Sequence, residues 1–271
     1  MKTRIISAAV AIVLLAAMLF LHKTIIFNIA LAIIGVFMIY EVVRAVGCKN
    51  KLLVLLPSLL MAVVFPIMAR FYSGYVLYLL IAFVYVSICM VSTFKYHASL
   101  NIETVYLIVT ETLLICASML SLALIEKLCG TMSLHYLILT FCGAWFADTG
   151  AYFAGTFFGK HKLCPEISPK KTIEGLLGGF IANALLFVLY GLIFLSPHGI
   201  PNYLLLVFMG VICTLLGVVG DLSASLIKRK YGIKDFSNLM PGHGGAMDRF
   251  DSVVYVAPFM AICLTSIAVI A

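Results

Sequence analysis

The sequence predicts an all-α, polytopic integral membrane protein with about nine transmembrane helices, the N-terminus cytoplasmic and the C-terminus outside. Three observations carry that prediction. Of the 271 residues, 64% are hydrophobic and only 11% charged, whereas soluble chains are roughly half apolar and about one quarter charged. Mean hydropathy is +1.17, which leaves too little polar surface to coat a water-soluble globule. The apolar residues are also gathered into runs long enough to cross about 30 Å of hydrocarbon, and the cations between the runs alternate in density.

The first run, 5–21, follows Lys2 and Arg4, an arrangement shared with secretory signal peptides. Apolar sequence resumes after only His22 and Lys23, with no convincing processing site, so this run reads as a first membrane helix. The others are 24–41, 52–69, 75–93, 105–125, 133–158, 174–196, 202–225 and 252–271, the sixth interrupted by Asp148. In hydrocarbon the backbone must satisfy its own hydrogen bonds. Uniformly apolar runs do so as helices, because barrel strands alternate in polarity.

With the N-terminus inside, cytoplasmic segments hold 15 of the 18 lysines and arginines, and only Lys23, Arg70 and Lys127 fall outside. That is the positive-inside pattern. Residues 1–130 form a block of about five spans. Residues 131–271 form a C-terminal catalytic region with two long cytoplasmic loops, 159–173 and 226–251. The net charge of +7 lies between apolar runs, which favours anionic head groups over nucleic acid as its counterpart. The eight cysteines lie mostly within apolar runs and show no CxxC spacing. They read as small buried hydrophobes, not as a zinc or disulfide framework.

The chemistry is expected where the two loops meet the membrane face. Asp148, in WFADTGAYFAG, sits about ten residues inside the cytoplasmic end of the sixth run, on the order of 15 Å along a helix. A carboxylate at that depth needs a partner or a wet cavity; a helix–helix hydrogen bond and a ligand role both fit. Asp221 lies one turn from the end of the eighth run, with Ser225 on the same face. Asp248 and Asp251 are spaced i, i+3. A ninth helix starting near Gly245 or Ala246 puts both on its first turn, beside free N–H groups. Such a pair suits Mg²⁺, which prefers oxygen ligands shared with phosphates, although helix-start acids paired with Arg249 would look the same.

Basic residues surround these acids. Lys228, Arg229, Lys230 and Lys234 flank one side, and Lys170 and Lys171 lie in the other loop. Carboxylates ringed by Lys and Arg fit metal-dependent phosphate chemistry. Gly242, Gly244 and Gly245 would let backbone N–H groups approach phosphate, although PGHGG is not a Walker A loop. His243 reads as a hydrogen-bond donor to phosphate or ribose. The residues alone therefore reach a membrane-embedded, Mg²⁺-dependent phosphoryl or nucleotidyl transferase.

The pattern Ser225, Lys228-Arg229, Lys234-Asp235, His243-Gly244-Gly245, Asp248-Arg249 and Asp251 resembles the signature of the phosphatidate cytidylyltransferases. Ile167–Gly175 and Asp148–Tyr152 resemble two further stretches of that family, so the likeness covers 141–251, while the first hundred residues match only as membrane helices. The resemblance implies CTP and phosphatidate as substrates, CDP-diacylglycerol and pyrophosphate as products, one or two Mg²⁺ ions, a membrane-lipid environment, no nucleic acid and a homodimer. The positive-inside split is expected to turn the site toward the cytoplasm, and the compact, extension-free chain points to a bacterial inner membrane. The resemblance also implies roles for single residues: Asp221, Asp248 and Asp251 on the metal, with Asp148 as a further ligand; Lys170, Lys171, Lys228, Arg229 and Arg249 on phosphates; Ser168, Ser225 and His243 as hydrogen-bonding groups; Gly244 and Gly245 against substrate; and Lys234–Asp235 as a loop-fixing pair. The rival readings are a CTP-dependent kinase of a membrane isoprenoid alcohol and an anion transporter. No DG–AR–G–D–D array of the enzymes that consume CDP-diacylglycerol is found, and no inverted repeat.

Overall fold

Helices form at all nine predicted runs. In the computed structural model, which describes residues 2–72, 74–267 and 269–270 with side chains from Ile6 onward, they are α1 (Lys2–Phe20), α2 (Ile25–Ala45), α3 (Leu52–Phe71), α4 (Tyr75–Lys95), α5 (Ile102–Leu128), α6 (Ser133–Phe158), α7 (Ile173–Tyr190), α8 (Tyr203–Lys230) and α9 (Met247–Ser266). The side chains of Lys2 and Arg4, and residues Ala268 and Ala271 of the ninth run, lie outside the described residues. Seven helical stretches, α2 to α8 with the short turns continuing α6 and α7, are long and apolar enough to cross a membrane. Large apolar side chains such as Leu60, Phe83, Ile181 and Leu204 are exposed along them, as lipid contact requires. The protein is a polytopic membrane protein. The apolar part of α1, Ile6–Phe20, is shorter, and α9 opens on a charged turn containing Asp248 and Arg249.

The all-α expectation needs one correction. Within the 159–173 loop, β1 (Lys162–Cys164) and β2 (Ser168–Thr172) pair antiparallel, with Lys162 opposite Thr172 and Cys164 opposite Ser168. This segment lacks a helical apolar period, and Pro165 and Pro169 disfavour helix. In a two-stranded ribbon every strand is an edge, so Pro169 is tolerated in β2. Thr172 then ends the ribbon and caps α7, its Oγ1 accepting the Gly175 N–H at 3.1 Å. Three boundaries also move. α8 continues to Lys230 and α9 starts at Met247. α7 ends at Tyr190 and is continued by a π turn, Gly191–Leu195, and a 3₁₀ turn, Ser196–His198.

The chain divides into two compact units. Met1–Lys127 with Lys230–Phe250 forms one, and Leu128–Arg229 with Asp251–Ala271 the other. In the first, α2 packs on α3 and α3 on α4. Gly35 brings α2 within van der Waals reach of Ala62 on α3 and Met119 on α5. The core holds fully buried Phe27, Leu31, Met38, Ile39 and Ile108. The three cations that break the predicted charge split all lie here, and all are tethered. Glu126, 3% exposed, receives Arg70 at 3.5 Å and Lys23 at 3.8 Å. Arg70 also donates to the Lys23 carbonyl at 3.0 Å, and Lys127 to the Ala69 carbonyl at 2.9 Å. A buried carboxylate that loses its charge leaves its cations unpaired. Glu126→Gln is expected to destabilise the detergent-solubilised protein by about 1–2 kcal/mol, discounted because both cations are partly exposed. A thermal melt checks it.

In the second unit α6 and α7 pack closely along small residues. A Cβ at Gly150 would overlap the Ala182 methyl, and one at Gly178 the Ala154 methyl. Such small-residue seams allow helix backbones to approach where no hydrophobic driving force separates helix from lipid. Asn183, fully buried, ties α6, α7 and α8 together. Its Nδ2 donates to the Gly143 carbonyl at 2.9 Å, the Gly210 carbonyl at 3.2 Å and Thr214 Oγ1 at 3.1 Å. A second close approach joins α8 to α9, where a Cβ at Gly220 would strike the Asp251 carbonyl oxygen.

Candidate functional site

The second unit holds most of the predicted site residues. Asp148 projects from α6, Ser168, Lys170 and Lys171 from β2, Asp221, Ser225, Lys228 and Arg229 from α8, and Asp251 from α9. A cavity of about 180 Å³ is lined by Asp148, Lys170 and Lys171 together with the apolar Tyr152, Leu176 and Val218. Lys171 forms an ion pair with Asp221. Asp251 is 8% exposed. The charged groups acting on its carboxylate are Asp221, Lys228 and Asp148. Its Oδ1 accepts the Ser252 N–H at 2.7 Å, and Ser252 Oγ donates to the Gly217 carbonyl at 3.2 Å, which holds the start of α9 on the glycine face of α8.

Two details of α8 differ from expectation. Asp221 lies nine residues before the helix end, not one turn, because the helix runs on to Lys230. Lys228, Arg229 and Lys230 are therefore helical residues of the last turn and not loop residues. Their long stems can run along apolar surface while their charges face the negative end of the helix dipole. Lys228 and Ser225 are buried, at 9% exposure each, so this lysine serves the interior.

The remaining predicted site residues belong to the first unit. His243, Gly244 and Gly245 lie in the loop before α9, and Asp248 and Arg249 in its first turn. The Met240 N–H donates to the Gly244 carbonyl at 2.9 Å and the His243 N–H to the Met240 carbonyl at 2.8 Å. This tight turn requires positive φ at Gly242 (81°) and Gly244 (86°), a region that a Cβ disfavours. Asp248, 7% exposed, accepts the Phe236 N–H at 2.8 Å and the Gly245 N–H at 2.9 Å, both on Oδ2. Ser7 of α1 reaches the same loop, with Oγ 3.1 Å from the Pro241 carbonyl and 2.9 Å from His243 Nδ1.

The amides at the start of α9 find their acceptors within the protein. The Gly245 N–H is taken by Asp248, and the Ala246 and Met247 N–H groups by Glu41 of α2, at 3.0 and 2.8 Å. Carboxylates satisfy the helix terminus internally. Because α9 starts at Met247, Asp248 lies in its first turn and Asp251 in its second. Asp248 has a loop-fixing task that the sequence reading gave to Lys234 and Asp235. Glu41 was missed altogether. The only sequence signal is an acid near the C-terminal end of an apolar run, with nothing to show what it meets.

Among the described residues, no three His, Cys, Asp or Glu side chains close into a metal-ligating group. The donor set nonetheless fits a hard cation that takes part of its shell from phosphate. Asp148, Asp221 and Asp251 are all oxygen donors, and Mg²⁺ commonly uses one or two carboxylates with substrate phosphates and water.

Comparison with known proteins bears on this geometry. A family model described as "Cytidylyltransferase family" matches residues 2–267. Curated relatives named phosphatidate cytidylyltransferase include one from Staphylococcus saprophyticus, 46% identical over 134 residues, or 49% of this chain and 50% of the relative. Others come from Staphylococcus haemolyticus and Staphylococcus epidermidis, each 44% identical over 131 residues, or 48% of this chain and 49% of the relative. The chain spans about half the length of the curated relatives it matches.

Proposed function

Because the chain belongs to the cytidylyltransferase family, we propose that it transfers the cytidylyl group of CTP to phosphatidate, giving CDP-diacylglycerol and pyrophosphate for phospholipid synthesis. The observation that carries this reading is the cavity of the second unit. It joins a carboxylate and two lysines to an apolar wall, beside the Asp221–Asp251–Lys228 group. A triphosphate needs the charges, and a lipid phosphate needs charges next to grease.

In the proposed reaction a phosphatidate phosphate oxygen attacks the α-phosphorus of CTP. The new P–O bond forms as the bond to the β-phosphate breaks, and pyrophosphate leaves. The attacking phosphate is already anionic, so no general base is required. Lys170 and Lys171 hold phosphate oxygens at the cavity. Lys228, Arg229 and Arg249 offset charge on the triphosphate, while Ser168, Ser225 and His243 orient substrate oxygens. Asp221, Asp248 and Asp251 would hold Mg²⁺, with Asp148 as a further ligand. When bound, Mg²⁺ would supply positive charge against the charge that builds during phosphoryl chemistry. Lys171, paired with Asp221 here, exchanges that partner for phosphate.

The same reading includes nine membrane crossings, with α1 and α9 as the first and last, the N-terminus inside and the C-terminus outside. Lysine and arginine placement supports it, since 15 of 18 then fall on one side. The site faces the cytoplasm, where CTP is found, and the bacterial relatives favour an inner membrane. A homodimer follows from family analogy.

The test uses the full chain purified into lipid–detergent micelles, with phosphatidate and CTP labelled at the α-phosphorus. Label is expected in organic-extractable lipid, with one pyrophosphate released per lipid formed. Withholding Mg²⁺ should stop the reaction and restoring it should restart it. Release of CDP with γ-phosphorus appearing in lipid would instead identify a kinase, and no metal-dependent lipid labelling of either kind would leave the transporter reading.

A further inference from the structure

We infer that Glu41 is a positioning residue for nucleotide handling, acting from α2 as the N-terminal cap of α9 and the anchor of the 237–247 loop. The inference rests on the proposed cytidylyl transfer. Glu41 is 3% exposed near the C-terminal end of α2. Its Oε1 accepts the Ser237 hydroxyl at 2.5 Å and the Ala246 N–H at 3.0 Å, and its Oε2 accepts the Met247 N–H at 2.8 Å. Ser237 Oγ in turn accepts the Leu239 N–H at 3.1 Å. One carboxylate therefore grips both ends of the loop that carries His243, Gly244 and Gly245.

The physical case has three parts. A helix start leaves orphan N–H groups, ordinarily satisfied by a side chain just before the helix. Here Ala246 occupies that place and has no side-chain acceptor, so the cap comes from a residue about two hundred positions away. A negative charge at this end also meets the positive end of the α9 dipole. Finally, the fit is closed, because a Cβ at Gly245 would overlap the Glu41 carboxylate. Gly245 is thus small to admit this carboxylate, a reason independent of phosphate. Asp248 bonds the Gly245 and Phe236 N–H groups from the other side, so the two carboxylates share the loop amides between them. Glutamine at position 41 would keep the volume but replace one acceptor oxygen with an NH₂ that faces donors.

The test compares wild type, Glu41→Gln and Glu41→Asp in the full purified protein, with two readouts. Hydrogen exchange of the peptide spanning 237–250 should speed up in Glu41→Gln while peptides from α6 and α7 remain unchanged. Steady-state kinetics should show KM for CTP raised by about tenfold, the loss of roughly one charge-assisted hydrogen bond, with KM for phosphatidate within about twofold of wild type. Glu41→Asp, which keeps both acceptor oxygens, should recover part of both effects. A folding defect alone would lower the active fraction and leave both KM values unchanged, which would overturn the proposal. So would faster exchange of the loop with unaltered kinetics, or unaltered exchange. If wild type makes no CDP-diacylglycerol, the proposed reaction fails, and the exchange arm still decides whether Glu41 holds the loop.

Discussion

Asp251→Asn is expected to lower cytidylyl transfer by about 10²–10⁴-fold, the range seen when a group that stabilises developing charge is removed, and to blunt the response to added Mg²⁺, while the protein still inserts and folds. Asparagine is nearly isosteric and can still accept the Ser252 N–H through its Oδ1, so the local contact at 2.7 Å survives. What is lost is one negative charge from a cluster in which Asp148 and Asp221 act on this carboxylate, Lys228 and the Ser252 N–H oppose them, and Lys171 pairs with Asp221. If these carboxylates exist to hold a cation, removing one weakens metal binding sharply. The measurement is turnover against Mg²⁺ concentration in reconstituted protein. Full activity in a folded Asp251→Asn protein would sink the metal assignment. The same substitution at Asp248 should also abolish turnover, but with faster exchange at the 236–245 amides, because that carboxylate bonds two of them.

Gly220→Ala should combine a large stability loss with loss of activity. A Cβ there would collide with the Asp251 carbonyl and crowd the Ser252 Cα. Both are backbone atoms, so α8 and α9 must separate. Overpacking of this kind costs about 1–3 kcal/mol, and the displaced residue is the site carboxylate beside Asp221. Gly217→Ala is the internal control one turn away. Its Cβ would meet only the Ala144 carbonyl at 3.6 Å and Ser252 at 3.7 Å, ordinary contact, and alanine relieves the entropic cost of glycine in a helix. A melt and a turnover assay on the two variants should separate them clearly. Equal behaviour would mean that the α8–α9 approach does not position the site.

Membrane character and helix positions were legible in the sequence because apolar run length is a local property. Hydrocarbon thickness sets it and every residue votes. The acids at Asp148, Asp221, Asp248 and Asp251 also stand out in the sequence, because acids and bases are so few in this chain. Failures occurred where a polar segment's partners are distant. The 159–173 loop carries no apolar period, so its hairpin depends on register between Lys162 and Thr172 and not on composition. Helix α8 overran its predicted end because Lys228 and Arg229 were read as loop charges, although long cationic stems are good helix formers.

By itself the sequence determined a polytopic helical membrane protein with its charged chemistry at helix ends, because burying apolar runs and exposing ions are energetic choices each segment makes alone. Only the tertiary structure decided what each charge does. It paired Lys171 with Asp221, lined one cavity with Asp148, Lys170 and Lys171, and brought Glu41 from α2 onto the amides of Ala246 and Met247. The amides of Gly245, Ala246 and Met247 all meet carboxylates. Hydrogen bonds act over about 3 Å, and the residues that come that close are set by packing, not by their separation along the chain.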